Sequence, residues 1–323
     1  MDPLTQDQLL KLLSTWPIQF TSVEPYRADR VDMYAADGVT GERYILKNLG
    51  ELDDMCVRTE AQHRITQHLH RHDIPVGYLL TTREGGFYAT DGTDLFVLMP
   101  RLPQEDAGLF GLHGHLAFDS LGSAYARLHA ALATFDGPVD TWESLLFDRL
   151  YEHTAPRLLK ALQGEDQTVV QESLTVLKQP MKDLSPDLPS QVILWDCHTG
   201  NTLFWNGHVS GFIDVDHISR GPRVFDIANI AANMIVYDQS EMRTKLWLKS
   251  LPTYVSAYHR TNPLSAPERK AIPYAIESFT LVLLEHFLTH GGSESAKQAT
   301  LGAVKWFHDN REAVNTATAN AFA

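Results

Sequence analysis

Apolar positions along this chain follow two patterns. Between about positions 20 and 100 they alternate with polar residues or run in short stretches, and beyond about 115 they recur at helical spacing. In the first part, "FTSVEPY" (20–26), "RVDMYAAD" (30–37) and "ERYILKNL" (42–49) are separated by turn signals such as "DGVTG", which predicts an antiparallel meander. "DDMCVRTEAQHRITQHLHRHDIP" (53–75) has helical spacing through Met55, Ala61, Ile65 and Leu69 and stops at Pro75. "GYLLTT", "GFYAT" and "LFVLMP" then predict three further strands. Ahead of all these, "MDPLTQDQLLKLLSTW" reads as a short amphipathic helix, because it lacks a basic leader and carries Asp and Gln through its apolar pattern.

After "MPRLPQEDAGLFGLHG" (99–114) the pattern changes. "HLAFDSLGSAYARLHAALATF" places Leu116, Leu121, Tyr125, Leu128 and Leu132 close to one face, and "ESLLFDRLYEHTAPRLLKAL" and "ESLTVLKQPMKDL" continue as helices. Helices resume beyond Val224. Inside this helical part lies a β island, "VILWDCHTGNTLFWNGHVSGFIDVDH" (192–217), read as a buried strand, a loop, and a hairpin turned by Asn206-Gly207. The expectation is an α+β chain of two lobes. A small β-rich lobe with one helix would span 1–102, and a larger, mostly helical lobe 103–323.

Length supports two lobes, since 323 residues exceed the usual 100–200 of one domain. The net charge of −13 is spread along the chain, with 15 acidic and 9 basic residues in positions 1–100. No clustered Lys/Arg footprint of the kind nucleic acid or anionic membrane requires is present, so neither is an expected partner. Cys56 and Cys197 lie in unrelated contexts and suggest no disulfide framework. With no uninterrupted run of roughly 18 apolar residues, a cytoplasmic location and a monomer or homodimer are expected.

The β island carries the chemistry. Asp196 and Asn201 sit on the loop that opens the hairpin, and Asp214 ends its last strand. Asp and Asn commonly cap loops, but Asp-x-x-x-x-Asn followed by an Asp after a hairpin is what phosphoryl transfer requires. Asn201 and Asp214 offer hard oxygens to Mg2+, leaving Asp196 to accept the proton of an attacking hydroxyl. Upstream, Lys47 ends the apolar run of "RYILKN", where it would be a solvated edge lysine unless an acid held it for phosphate. Glu60, in the one helix of that lobe, is the expected ion-pair partner.

The stretch "LWDCHTGNTLFWNGHVSGFIDVDHISRGPRVFDIANI" resembles the signature of the aminoglycoside phosphotransferase and choline kinase superfamily, in which His-Gly-Asp-x-His-x-x-Asn is followed by Ile-Asp and then Asp-(Leu/Ile)-Ala. "YILK", "RTEAQ", "FVLMPRLP" and "LGSAYARLHAAL" are similar to its lysine strand, helix glutamate, hinge and leading helix. The resemblance implies a protein-kinase-like fold, ATP and Mg2+ as cofactors, Asp196 as catalytic base, Asn201 and Asp214 as magnesium ligands, and Lys47 on the α/β-phosphates with Glu60 as its partner. It further implies that Asp226 braces the catalytic loop, that His198 orders it without moving a proton, and that Met99 faces the adenine. Leu194 and Trp195 stand where the family usually has His-Gly, so the bonds that fix the loop must come from elsewhere. No glycine-rich loop appears in "EPYRADRVDMYAAD", where Arg27 and Arg30 are the candidates for phosphate cover.

Other signals carry less. Among His63, His68, His70 and His72 only His68 and His72 have the i, i+4 spacing that puts two ligands on one helix face, and no Cys-x-x-Cys accompanies them, so a zinc site is not expected. "GLFGLHG" lacks the context of a nucleotide fingerprint. Cys197 has no well-placed base and is not expected to be a nucleophile. Glu277 and Glu285 would either receive an acceptor's amine or be helix-surface charges or bury against an arginine, and the second reading is favoured. The function expected is transfer of the γ-phosphoryl of ATP to a hydroxyl of a small molecule such as an aminoglycoside or amino alcohol. The alternatives are a Ser/Thr kinase of the bacterial stress type, a homoserine-kinase-like enzyme, or a nucleotide-binding pseudokinase. No Ala-Pro-Glu ending follows Asp214, which weighs against a regulated protein kinase.

Overall fold

The computed structural model describes residues 4–27, 30–105, 114–139, 146–215 and 218–323. The chain divides into two compact units, one of Met1–Gln104 with Phe135–Pro138 and Ser210–Asp216, the other of Glu105–Thr134, Val139–Val209 and His217–Ala323.

The first unit opens with helix α1 (Gln6–Leu13), whose start is fixed by a reciprocal capping box between Thr5 and Gln8. Strands β1 (Phe20–Arg27), β2 (Arg30–Gly38) and β3 (Arg43–Glu51) form the expected meander, α2 (Leu52–Arg71) follows, and β4 (Ala89–Thr90) and β5 (Asp94–Pro100) complete a five-stranded sheet in the order β1-β2-β3-β5-β4. Leu9, Leu12, Leu13 and Trp16 bury against one sheet face with Val23, Tyr34, Ala36, Leu46, Phe96 and Leu98. The pairing β3 to β5 sets Ile45 opposite Met99 and Lys47 opposite Val97. Directly opposed residues share a face, so Lys47, Val97 and Met99 stand together on the other side.

"GYLLTT" is not a strand. Its backbone groups are taken up singly: Leu80 N–H donates to Leu98 O, Gln67 Nε2 donates to Leu79 O, and Trp16 Nε1 donates to Leu80 O. Its short apolar run, Tyr78-Leu79-Leu80, serves burial without ladder pairing. The histidines of α2 pack as rings, His63 on Phe87, His70 on Tyr78 and His68 edge-on to Phe135. No group of three or more metal-ligating side chains occurs among the described residues.

The second unit begins with α3 (Gly114–Leu132), α4 (Leu146–Asp148), a π-helical turn (Arg149–Thr154), α5 (Ala155–Ala161) and α6 (Gly164–Leu184). The β island follows as β6 (Ser190–Ile193), β7 (Thr202–Trp205), β8 (His208–Phe212), of which Ser210–Phe212 belong to the first unit, and β9 (Ser219–Pro222). Strand β6 pairs with β9, antiparallel, whereas β7 and β8 form a separate hairpin. Asn206 and Gly207 both take positive φ, 51° and 73°, as a two-residue hairpin turn requires. Helices α7 (Val224–Val236), α8 (Glu241–Thr261), α9 (Ala266–Thr289), α10 (Glu294–Asp309) and α11 (Arg311–Asn320) end the chain.

Two features lock these helices together. Gly122 of α3 meets the backbone of α8 so closely that a Cβ there would lie 2.1 Å from Tyr254 O. Arg223, just ahead of α7, donates to both carboxylate oxygens of Glu268 at 2.6 and 3.0 Å, and Glu268 also closes the capping box of α9 with Ser265. By length and composition α9 could cross a membrane, but 67% of its apolar window is buried within the protein. Its two other acids are not helix-surface charges but bury against arginines, Glu277 with Arg311 and Glu285 with Arg157.

Candidate functional site

In the first unit, Lys47 Nζ donates to Asp214 Oδ1 at 2.5 Å. Asp214 follows β8 in a left-handed conformation, φ 53°, which turns its carboxylate out of the strand's alternation. The expected partnership of Lys47 with Glu60 is not found: Glu60 is exposed and pairs with Arg64 one turn along α2. That local i, i+4 pair competes with the long-range one and needs no backbone adjustment. Met99 is partly buried with Leu79, Leu95 and Val97, and its sulfur lies where any side chain at Gly77 would need to be. Arg27 ends β1, and the side chain of Arg30 lies outside the described residues, as does most of "GLFGLHG".

In the second unit, the loop from Leu194 to Asn201 is held from behind by Asp226 on α7. The N–H groups of Leu194 and Trp195 donate to its carboxylate at 2.8 and 3.1 Å, and His129 Nε2 of α3 lies 3.0 Å from Oδ2. These bonds use backbone N–H groups, so they survive the replacement of His-Gly by Leu194-Trp195. A carboxylate only accepts, so Nε2 carries the proton, and Nδ1 pairs with the Tyr258 hydroxyl at 2.7 Å. Trp195 takes φ 62°, the conformation that a glycine adopts without cost. It is held there by a parallel stack on Phe225 at 4.2 Å and by Asn229 Nδ2, which donates to its carbonyl at 2.8 Å.

Beyond this brace the side chains of Asp196 and His198 turn outward. Asp196 is 45% exposed. Asn201 is buried, and its Nδ2 donates to the Asp196 carbonyl at 3.2 Å and carboxylate at 3.3 Å. Its amide nitrogen is therefore committed to the loop, which leaves Oδ1 as the hard oxygen suited to a magnesium ion. His198 Nδ1 accepts from the Gly200 N–H at 3.0 Å, while its Nε2 stands 3.8 Å from Asp196 Oδ1, too far for a hydrogen bond. Cys197 points into the protein, where burial first and the nearby Asp226 second push its thiol pKa well up, as befits an inert thiol.

A cavity of about 660 Å³ opens beside Asp196, lined by Trp195, His198, Phe225, Asn233, Phe279 and Arg149 among others. His129 and Arg149 were not legible as site residues. The one signal for His129 is that a polar residue falls in phase with the apolar stripe of α3, beside Leu128 and Leu132. Arg149 gives none.

A five-stranded antiparallel sheet with an Asp-facing lysine, and a helical unit whose aspartate loop is braced from α7, define a kinase-like phosphotransferase scaffold. The chain belongs to the phosphotransferase enzyme family APH, whose model matches residues 25–265. A homoserine kinase from Neisseria meningitidis serogroup B is 30% identical over 154 residues, 48% of this chain and 47% of that protein, so the match spans about half the length of the curated relative. An amicoumacin kinase solved with AMP-PNP and Ca2+ superposes with a TM-score of 0.67 at 17% identity, over 95% of this chain and 94% of that one. A microcompartment-associated aminopropanol kinase does so with 0.67 at 16%, over 94% and 96%. At such identities the structural likeness speaks for the α+β kinase-like fold alone.

Proposed function

We propose that this protein transfers the γ-phosphoryl group of ATP to a hydroxyl of a small molecule, with Asp196 as the catalytic base. The observation that carries this reading is the division of labour on one loop: its backbone is clamped to buried Asp226, while the Asp196 carboxylate is left exposed at the mouth of a cavity. A base must be fixed and yet reach its substrate.

The acceptor's O–H proton passes to Asp196 as the acceptor oxygen bonds to Pγ, the bond from Pγ to the β-phosphate bridging oxygen breaks, and ADP leaves. Lys47 is assigned to the α/β-phosphates, and Met99, with Val97 beside it on the sheet face, to the adenine. Lys47 and Asp214 satisfy each other here, as a cation for phosphate and an anion for metal would. Asn201 and Asp214 are the assigned magnesium ligands, each by its oxygen chemistry, and the ion when bound neutralises charge developing on the phosphates. His198 keeps the loop in shape through Gly200.

The test is coupled ADP release with Mg-ATP across hydroxylated amines, amino acids and sugars, comparing wild type with Asp196→Asn. Stimulation by one acceptor class and a loss of kcat of about 100- to 10,000-fold in the variant are expected. Unchanged turnover in Asp196→Asn would remove the base from the mechanism.

A further inference from the structure

The cavity beside Asp196 has an uneven chemistry. Its walls are aromatic, with Trp195, Phe225, Phe279 and Phe287, and apart from Asp196 no described lining residue is a carboxylate. The two buried acids of α9 nearest in kind to an amine receptor are occupied. Glu277 receives two bonds from Arg311, one of them at 2.8 Å, and Glu285 is bonded by Arg157 at 3.0 Å. A polyamine seated here would surrender the hydration of several ammonium groups to rings and a single carboxylate, which is costly.

The fixed cation among the described lining residues is Arg149, on the π-helical turn, a distortion that often marks functional positions. Its side chain is 16% exposed, and its Nη2 lies 4.0 Å from Glu285 Oε2. Glu285 thus stands between two arginines, with Arg149 on the cavity side. A guanidinium held in this way matches the fork geometry of a carboxylate.

We propose that the acceptor is a hydroxylated monocarboxylic acid, its carboxylate read by Arg149, its carbon body laid on the Trp195 and Phe279 rings, and its hydroxyl presented to Asp196. The proposal rests on the phosphotransfer reading above and narrows it, turning it away from polycationic acceptors. A cavity of about 660 Å³ gives room for a body larger than a four-carbon chain.

Acids and their primary amides, matched in skeleton and differing in charge, provide the test. L-homoserine, 4-hydroxybutyrate and 4-(hydroxymethyl)benzoate, each beside its amide, are assayed with Mg-ATP alongside 1-amino-2-propanol and spectinomycin. At least one acid is expected to turn over with kcat/KM about 10- to 100-fold above that of its amide, the difference lying in KM, which is the size of effect one charge-assisted contact supplies. This comparison uses the wild-type protein and does not depend on a variant folding. Arg149→Gln is expected to erase the acid-to-amide ratio and Arg149→Lys to restore part of it. Amines turned over in preference to acids, a ratio that survives Arg149→Gln, or no acid bound or phosphorylated by a protein that binds Mg-ATP would each overturn the inference. Absence of Mg-ATP binding by calorimetry would instead strike the phosphotransfer reading itself.

Discussion

His129 Nε2 lies 3.0 Å from Asp226 Oδ2, and both side chains are fully buried. The contact joins α3 to α7 beneath the loop that carries Asp196, and it gives Asp226 a third bond besides those from Leu194 and Trp195. With three donors converging on one buried carboxylate, each is part of the loop's geometry. Asp226→Asn places an NH2 where a donor already points. It is expected to cost about 1–3 kcal/mol or more of stability, as an unsatisfied buried group does, and to lower kcat through displacement of Asp196. His129→Leu should cost a similar amount but spare the two backbone bonds, and so retain more activity. Guanidinium unfolding midpoints and steady-state kcat for the pair check the ordering, and equal loss of activity in both would contradict it.

How far the sequence reveals this arrangement depends on the range of each contact. The hairpin at Asn206-Gly207, the meander and the amphipathic α1 are local, and turn chemistry and periodicity suffice for them. "GYLLTT" misleads because a short apolar run reports burial, which a bonded ladder and an isolated segment share. Glu60 misleads for a related reason: its partner is decided by competition between Arg64 one turn away and a lysine on another element. The burial of Glu277 and Glu285 against arginines is legible as a tendency, but the identity of Arg311, 34 residues distant, is fixed by the packing of α9 on α11. His129 and Arg149 acquire their meaning only from residues far away in sequence.

The Arg223–Glu268 pair makes stability depend on pH. Burial raises the Glu268 carboxyl pKa, but the bonds from Arg223 and from Ser265 outweigh it and hold the carboxyl below the usual range. A depressed folded pKa means the unfolded chain takes up the proton first. The stabilisation is therefore complete above the unfolded value of about 4.3 and is lost as pH falls through the lower folded value. Glu268→Gln, which leaves a buried guanidinium unpaired, is expected to cost about 3–5 kcal/mol at pH 7. The gap between variant and wild type should narrow below about pH 4. Unfolding midpoints at pH 7 and pH 3.5 measure it, and a constant gap would show that the pair does not titrate as described.

Gly122→Ala pits two effects of known sign against each other. In a free helix the change gains up to about 1 kcal/mol. At this crossing the new methyl would sit 2.1 Å from Tyr254 O and 2.9 Å from Ala257 Cβ, neither of which is a flexible chain end. Helices α3 and α8 would have to separate, at about 1–3 kcal/mol or more, so net destabilisation is expected. A thermal melt decides the sign, and a raised Tm would show that the crossing yields.

Trp195 occupies the place of the glycine in the family's usual His-Gly-Asp, and its φ of 62° explains why glycine suits that place. A left-handed conformation costs an L-residue about 1–2 kcal/mol, which here is met by the stack on Phe225 and by the bonds to Asp226 and Asn229. Truncation separates these terms. Trp195→Ala keeps the strain and loses the stack, whereas Trp195→Gly loses both, so the glycine variant should be the more stable of the two by about 1–2 kcal/mol. This inverts the usual order of alanine and glycine. Since the backbone bonds remain, Trp195→Gly should keep Asp196 in position and retain kcat, while the acceptor's KM rises because one aromatic wall of the cavity is gone. Unfolding midpoints test the inversion, and a kcat that collapses with KM unchanged would mean that the indole holds the loop and does not serve the acceptor.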